Sequence, residues 1–352
     1  MAHPKTLGKY EIRRTLGRGA AGVVLEGWDP VIERRVAIKT VALGDSSDAE
    51  AAEAKDRFLR EARAAGRLVH PNIVAVHDYG EADGAAYIVM EYVDGPSLRG
   101  VLESDRAMEI EDIARIMGDV LDGLQFSHEN GIVHRDVKPG NVMLTTADIG
   151  RARAKVADFG IARLDSSNLT RTGVILGTPA YMAPEQYLGA EIDARADIYG
   201  AGVLLYQLLT GERPFEGTVA SIMHQVLNAE ARAPSHVSAA IPVAFDAIVC
   251  RALAKRPDQR FASAREFADA LAEAVRAAPR AAAPDAEDTA ARTGAVDATL
   301  VGEPLPPARM MALAPPHARP WRGRLSALAA AMIGLVALGG GSAIWFGGRT
   351  PA

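Results

Sequence analysis

The sequence predicts an α+β protein, with strands first, helices after, and then a non-globular tail. Three observations predict it. Residues 10–41 fall into three β-branched runs bounded by glycines or charges, the pattern of paired strands. From Ser97 onward, helical periodicity takes over. At Arg276 the composition breaks: residues 277–322 are rich in Ala and Pro and poor in bulky apolar side chains, which reads as a linker.

The first three strands are predicted at 10–16, 23–29 and 34–41. Between the first two, Gly17-Arg18-Gly19-Ala20-Ala21-Gly22-Val23-Val24 fits G-x-G-x-x-G-x-V. A dinucleotide-binding loop of this form opens a helix, whereas Val23 to Trp28 continues as a strand. The glycines therefore bend a hairpin, and their missing side chains let its backbone lie over phosphates. Read alone, it is equally a plain glycine-rich hairpin. The third strand carries Val36-Ala37-Ile38-Lys39. Taken singly, Lys39 is a solvated strand end unless an acidic partner faces it. Residues 49–68, rich in Ala, Glu and Arg, predict a helix bearing Glu61, which taken singly is a surface glutamate. His70 follows as a loop histidine, not a ligand. Residues 74–79 and 85–91 predict a further strand pair, and Glu91-Tyr92-Val93-Asp94-Gly95 connects onward.

Residues 110–130 predict a long amphipathic helix with Ile113, Ile116, Met117, Val120, Leu121 and Leu124 as its core stripe. His134-Arg135-Asp136-Val137-Lys138-Pro139-Gly140-Asn141 comes next, then a short strand at 142–144. These residue types suit moving a phosphoryl group from a nucleotide to a hydroxyl. Asp136 can accept the hydroxyl's proton, Lys138 can neutralise charge on the phosphoryl, and the Asn141 amide oxygen can ligate a hard cation. Lys155-Val156-Ala157-Asp158-Phe159-Gly160 delivers a second carboxylate at the end of a short strand. Residues 164–177 are rich in Ser and Thr and, alone, read as a surface loop. Asp197 starts a largely buried helix, so its carboxylate needs hydrogen bonds. A last helix is predicted at 264–275, after Arg260-Phe261.

In order, the glycine loop, Lys39, Glu61, HRDVKPGN, DFG, Ala183-Pro184-Glu185 and Arg260 resemble a eukaryotic-like (Hanks-type) serine/threonine protein kinase of the bacterial receptor-kinase branch. The resemblance covers about residues 10–275. It implies a bilobal protein-kinase fold, with a small β-rich N-lobe over about 10–92 and a larger helical C-lobe over about 93–275. It implies ATP as co-substrate, Mg2+ or Mn2+ as cofactor, and Ser/Thr of proteins as acceptors. By the same resemblance Gly17, Gly19, Gly22 and Val24 belong to the ATP site, the glycines over the phosphates. Lys39 pairs with the α- and β-phosphates and with Glu61. Backbone groups of Glu91 and Val93 bind adenine. Asn141 and Asp158 hold the metal, Asp136 is the base, and Lys138 steadies the γ-phosphate. Glu185 pairs with Arg260, and Asp197 holds the catalytic-loop backbone. Lys138 and Thr178 follow the Ser/Thr form of the family, not the tyrosine form. Thr170 and Thr172 stand where related kinases autophosphorylate, with Arg135 as the cation awaiting that charge. A pseudokinase or scaffold that acts by binding is the alternative, but Lys39, Asp136, Asn141 and Asp158 are all retained. A small-molecule phosphotransferase is opposed by the Thr178-to-Glu185 stretch and by Arg260.

A net charge of −5 offers no basis for nucleic-acid binding. The single cysteine, Cys250, excludes an intrachain disulfide framework and fits a reducing compartment. The N-terminus lacks an apolar signal-peptide core. Beyond the linker, taken as 276–324, residues 325–346 carry no charge. As a helix they would extend ~33 Å, enough to cross a hydrocarbon core of ~30 Å. Arg319, Arg322 and Arg324 precede the span and only Arg349 follows it, so the kinase is expected on the cytoplasmic side of the cell (inner) membrane. The tail 347–352 is then too short for an external sensor. Small residues four apart, Ala330 with Gly334 and Gly339 with Ala343, suit helix pairing and a homodimer.

Overall fold

A computed structural model of the protein describes residues 5–19, 22–42, 49–82, 84–104, 106, 108–159 and 179–277. Side chains at 19, 42, 49–54, 57 and 61 fall outside that description. So do Thr170, Thr172, Thr178, the linker and the candidate membrane span. Among the described residues no helix is long and apolar enough to cross a membrane.

The N-terminal part is one antiparallel sheet of six strands: β1 (Thr6–Leu7), β2 (Tyr10–Gly19), β3 (Gly22–Asp29), β4 (Arg34–Ala42), β5 (Val76–Ala82) and β6 (Ala85–Glu91), in the order β1-β2-β3-β4-β6-β5. Alternation along β4 sends Val36 and Ile38 into one face with Leu7, Tyr10, Leu25, Tyr87 and Val89. Lys39 takes the other face, directly opposite Val24 on β3 and Ile88 on β6. Helix α1 (Ala49–Ala65) covers that face, burying Phe58 and Ala62 against Ala86 and Ile88. It stops three residues before the predicted end, where Gly66 caps it by donating to the Ala62 carbonyl.

The strand predicted at 74–79 starts later, at Val76. Residues 72–74 are recruited elsewhere: Val74 N–H donates to the Val156 carbonyl, and Val156 N–H donates to the Asn72 carbonyl. This crossing ties the sheet's last strand pair to the helical part.

The rest is helical apart from one hairpin. Its helices are α2 (Leu98–Leu102), α3 (Ile110–Glu129), α4 (Pro184–Leu188), α5 (Arg195–Thr210), α6 (Val219–Asn228), α7 (Pro234–Val237), α8 (Ala244–Ala252) and α9 (Ala264–Ala277). All six apolar residues of the predicted α3 stripe are buried, in one core with α5, α8 and α9. Helix α5 is largely apolar and buried over most of its circumference, as a central helix must be. The hairpin is β7 (Val142–Leu144) with β8 (Ala154–Val156), Val142 opposite Val156. The α+β bilobal expectation is met by these described residues.

Candidate active site

The β7–β8 hairpin brings the chemistry together. Antiparallel pairing of Val142 with Val156 leaves Asn141 and Ala157 side by side, and Ala157 N–H donates to the Asn141 carbonyl at 2.8 Å. Asn141, just before β7, and Asp158, just after β8, therefore emerge at the same end of one hairpin. Asp136 joins them from the preceding loop. Lys138 Nζ donates to Asp136 Oδ2 at 2.6 Å, and Asn141 Nδ2 donates to the same oxygen at 3.1 Å and to the Asp136 carbonyl at 2.9 Å. Two donors thus fix the orientation of that carboxylate.

The loop carrying Asp136 is held from below. Buried Asp197, at the start of α5, accepts from the backbone N–H groups of His134 and Arg135, each at 2.7 Å, and contacts His128 Nε2 at 2.7 Å. His134 is fully buried; its Nδ1 accepts from Asp136 N–H at 3.1 Å, which leaves Nε2–H to donate to the Ala157 carbonyl at 3.0 Å. That imidazole thus spans from Asp136 to the residue before Asp158. Arg135 and Asp158 both hold left-handed backbone, φ 64° and 58°, where non-glycine residues are uncommon. Such strain persists only where neighbouring bonds over-determine the conformation, as the Asp197 bonds do at Arg135. Burial pushes the Arg135 guanidinium below its ordinary value, and Asp197 opposes the shift.

Across the cleft, Lys39 Nζ donates to Asp158 Oδ1 at 3.0 Å. Lys39 is buried, so the apolar strand that looked like a solvated end presents its cation inward. Glu61 belongs to α1, but its side chain, and hence the predicted Lys39–Glu61 pair, lies outside the described residues. Between sheet and hairpin is a cavity of about 560 Å³ lined by Gly17, Val24, Met90, Glu91, Val93 and Asp158 among others. Four of those six, Gly17, Val24, Glu91 and Val93, are expected ATP-site residues, and Asp158 is an expected metal ligand. Gly140 lines this cavity and also a second one of about 450 Å³, which reaches Lys138, Tyr181, Gln207 and Glu212. Gly140, between Lys138 and Asn141, is thus shared by the two cavities, and Lys138 lines the second.

Of the phosphate-loop glycines, Gly22 is demanded by geometry. Its φ is +121°, and a Cβ there would lie 1.9 Å from the Thr40 carbonyl oxygen. Gly22→Ala is expected to cost ~1–3 kcal/mol locally and to raise the KM for nucleotide. Thermal melting and a nucleotide titration check this; unchanged values in both would show that the hairpin tolerates a side chain there.

The donor set fits a divalent hard cation. Asn141 turns its amide nitrogen to Asp136, which directs its oxygen the other way, and Asp158 offers a carboxylate from the same end of the hairpin. Among the described residues no group of three or more His, Cys, Asp or Glu forms a metal cluster, so two protein oxygens would be shared with phosphate and water.

Two arrangements escaped sequence reasoning. Lys155 Nζ pairs with both carboxylate oxygens of Glu91, at 2.9 and 3.0 Å. Gln186 accepts from Ala183 N–H and donates to the Arg135 carbonyl at 3.0 Å, linking α4 to the loop that carries Asp136. Neither pairing has a local signal, because the partners lie 64 and 51 positions apart.

The model of the protein kinase domain matches residues 10–272 of the chain. Serine/threonine-protein kinase PksC of Streptomyces coelicolor is 43% identical over 297 residues, covering 80% of this chain and 52% of the relative. Serine/threonine-protein kinase PknB of Mycobacterium leprae is 41% identical over 271 residues, 75% of this chain and 42% of that protein. Serine/threonine-protein kinase PknJ of Mycobacterium tuberculosis is 40% identical over 283 residues, 78% and 47% respectively. The chain thus spans about half the length of the curated relatives it matches.

Proposed function

Because the chain belongs to the protein kinase family, we propose that it is an ATP-dependent serine/threonine protein kinase that phosphorylates protein hydroxyls and itself. The observation that carries this reading is Asp136, its carboxylate held by Lys138, which lines the open groove, and by Asn141, next to Gly140, which lines both cavities. A Ser or Thr hydroxyl entering from the groove gives its proton to Asp136 while its oxygen attacks the γ-phosphorus. The bond from that phosphorus to the bridging oxygen breaks, and ADP keeps the electron pair. Lys138, 2.6 Å from the base, neutralises the phosphoryl in transit. Lys39 faces the α- and β-phosphates, and backbone groups of Glu91 and Val93 hold the adenine. Asn141 and Asp158 hold Mg2+ or Mn2+, which supplies charge neutralisation at the phosphates when bound.

The same reading assigns autophosphorylation to Thr170 and Thr172. Its support is Arg135, a half-buried cation whose backbone is pinned at both N–H and C=O. A phosphate of charge about −1.5 to −2 would find its partner there. The full chain incubated with Mg·ATP is expected to carry phosphate on Ser/Thr, including Thr170 or Thr172, by mass spectrometry. Thr170→Ala/Thr172→Ala should lose most of its activity. A wild-type chain that labels neither itself nor a Ser/Thr protein overturns the kinase reading, and full activity of the double variant overturns the switch.

Membrane anchoring belongs to this reading too. Its support is the uncharged run 325–346 with three arginines just before it and one just after. The kinase domain would then face the cytoplasm of a bacterial cell as a single-pass protein, and pairing of spans would favour phosphorylation between two copies.

A further inference from the structure

The mechanism above makes no use of a half-buried ion pair beside the nucleotide cavity. Lys155 lies on β8, three residues before Asp158, and its ammonium meets both oxygens of Glu91. Glu91 ends β6 and lines the cavity that the kinase reading gives to the nucleotide, where its backbone would hold the base. The pair is more than a surface contact: the Lys155 side chain is only 16% exposed and that of Glu91 30%. A third strand of chain joins them. Ala75 N–H donates to Glu91 Oε2 at 3.3 Å, and Glu91 N–H donates to the Ala75 carbonyl at 2.8 Å. The residues just before Ala75 are bonded to β8 through Val74 N–H and the Asn72 carbonyl. Asn72 Nδ2 adds a bond to the Ala154 carbonyl at 3.0 Å.

The two ends of the nucleotide cavity are therefore connected by a closed ring. It runs from Glu91 to Lys155, along β8, across to 72–74 and back through Ala75 to Glu91. The bonds of Glu91 N–H to Ala75, of Val74 N–H to Val156 and of Val156 N–H to Asn72 are backbone to backbone and survive side-chain substitution, whereas the Lys155–Glu91 pair, the Ala75 bond to Glu91 Oε2 and the Asn72 amide bond do not. The ion pair is the direct side-chain tie between β8, which leads into Asp158, and Glu91; the backbone bonds reach Glu91 only by way of residues 72–75.

We infer that Lys155 is a positioning residue: its bidentate bond to Glu91 sets the distance between the purine site and the Asp158 carboxylate. The inference rests on the kinase reading for its functional sense. Its physical reason is register. A nucleotide bound through its base reaches the phosphate-binding groups only if both ends keep a fixed spacing, and a misplacement of ~1 Å can cost about a hundredfold in rate.

The test separates the two ends with two probes, adenosine and Mg·ATP. Titration calorimetry on the full chain compares wild type with Lys155→Met, Glu91→Gln and Lys155→Arg. Lys155→Met should bind adenosine within about twofold of wild type, because the base is held by backbone, and Mg·ATP about tenfold more weakly; Glu91→Gln should weaken Mg·ATP by a similar factor. Lys155→Arg, which keeps a bidentate donor, should restore most of the loss. Equal weakening of both probes would mean that Lys155 merely supports the base pocket, and unchanged binding of both would mean that the pair positions nothing; either overturns the inference. Thermal melting of each variant guards against misfolding, and Glu91→Gln keeps the hydrogen-bond acceptor that Ala75 needs. Because the probes report binding, a wild-type chain that binds both but transfers no phosphate would refute the kinase reading while leaving the spacing result readable.

Discussion

Lys39→Met and Asp158→Asn are each expected to lower phosphoryl transfer by about 10²–10³-fold while leaving the fold intact. Removing one preorganised electrostatic group from a desolvated site costs that much when the charge it serves develops in the transition state. Lys39 is buried, on the face of β4 opposite the apolar set of Val36 and Ile38, and its cation is delivered to Asp158 at 3.0 Å. Methionine keeps the length and apolar stem of the lysine, so the strand can retain its packing. Asparagine at 158 keeps the shape and one acceptor but removes the charge that a divalent cation needs. The strained φ of 58° there favours the replacement, since asparagine tolerates left-handed backbone better than most residues. The two residues act as one unit, so the double variant should be little worse than either single one. Initial rates with Mg·ATP and a Ser/Thr protein measure the loss, and thermal melting verifies folding. Wild-type rates in both folded variants would remove Lys39 and Asp158 from the chemistry.

Much of this site was legible in the sequence because its residues come in short runs whose local geometry does the positioning. Asp136, Lys138 and Asn141 fall within six positions, and one hairpin then places Asn141 beside Asp158. The α3 stripe was equally readable, since helical spacing puts Ile113, Ile116 and Leu124 on one face whatever they pack against. What was not legible depends on contacts between distant segments. Val74 looks like the start of a strand and instead crosses to β8 together with Asn72, because Val156 offers backbone partners there. Lys155 was read only as part of an apolar run, because nothing near it in the sequence announces Glu91. The short helices α2, α6, α7 and α8 have too few turns for periodicity to stand out, and tertiary packing decides them.

Arg260→Met is expected to destabilise the protein by ~3–5 kcal/mol, the cost of breaking a buried ion pair from one side. The Arg260 side chain is fully buried and Glu185 nearly so. Its guanidinium has five N–H donors, and the structure provides as many acceptors. Nη1 donates to Glu185 Oε1 at 2.7 Å and to the Arg195 carbonyl at 2.8 Å. Nη2 donates to Glu185 Oε2 at 2.8 Å and to the Lys255 carbonyl at 3.1 Å, while Nε donates to the Ala254 carbonyl at 2.8 Å. One side chain thus joins α4, the start of α5 and the turn after α8. Methionine would fill much of the volume and leave a buried carboxylate and three carbonyls without those donors. Arg260→Lys should rescue little, because an ammonium has three donors and no planar fork. Adding Glu185→Leu to Arg260→Met should recover part of the loss by removing the stranded charge, and only part, because the carbonyls remain. Activity should fall before the fold does. Glu185 neighbours Gln186, whose amide holds the Arg135 carbonyl at 3.0 Å, so a loosened α4 releases one of the bonds that keep Arg135 in its strained backbone. Urea unfolding of the three variants measures the first effect, and rates taken well below each melting midpoint measure the second. A loss under ~1 kcal/mol for Arg260→Met would mean that solvent or neighbouring groups satisfy Glu185 once the arginine is gone, and that the pair does not hold α4 in place.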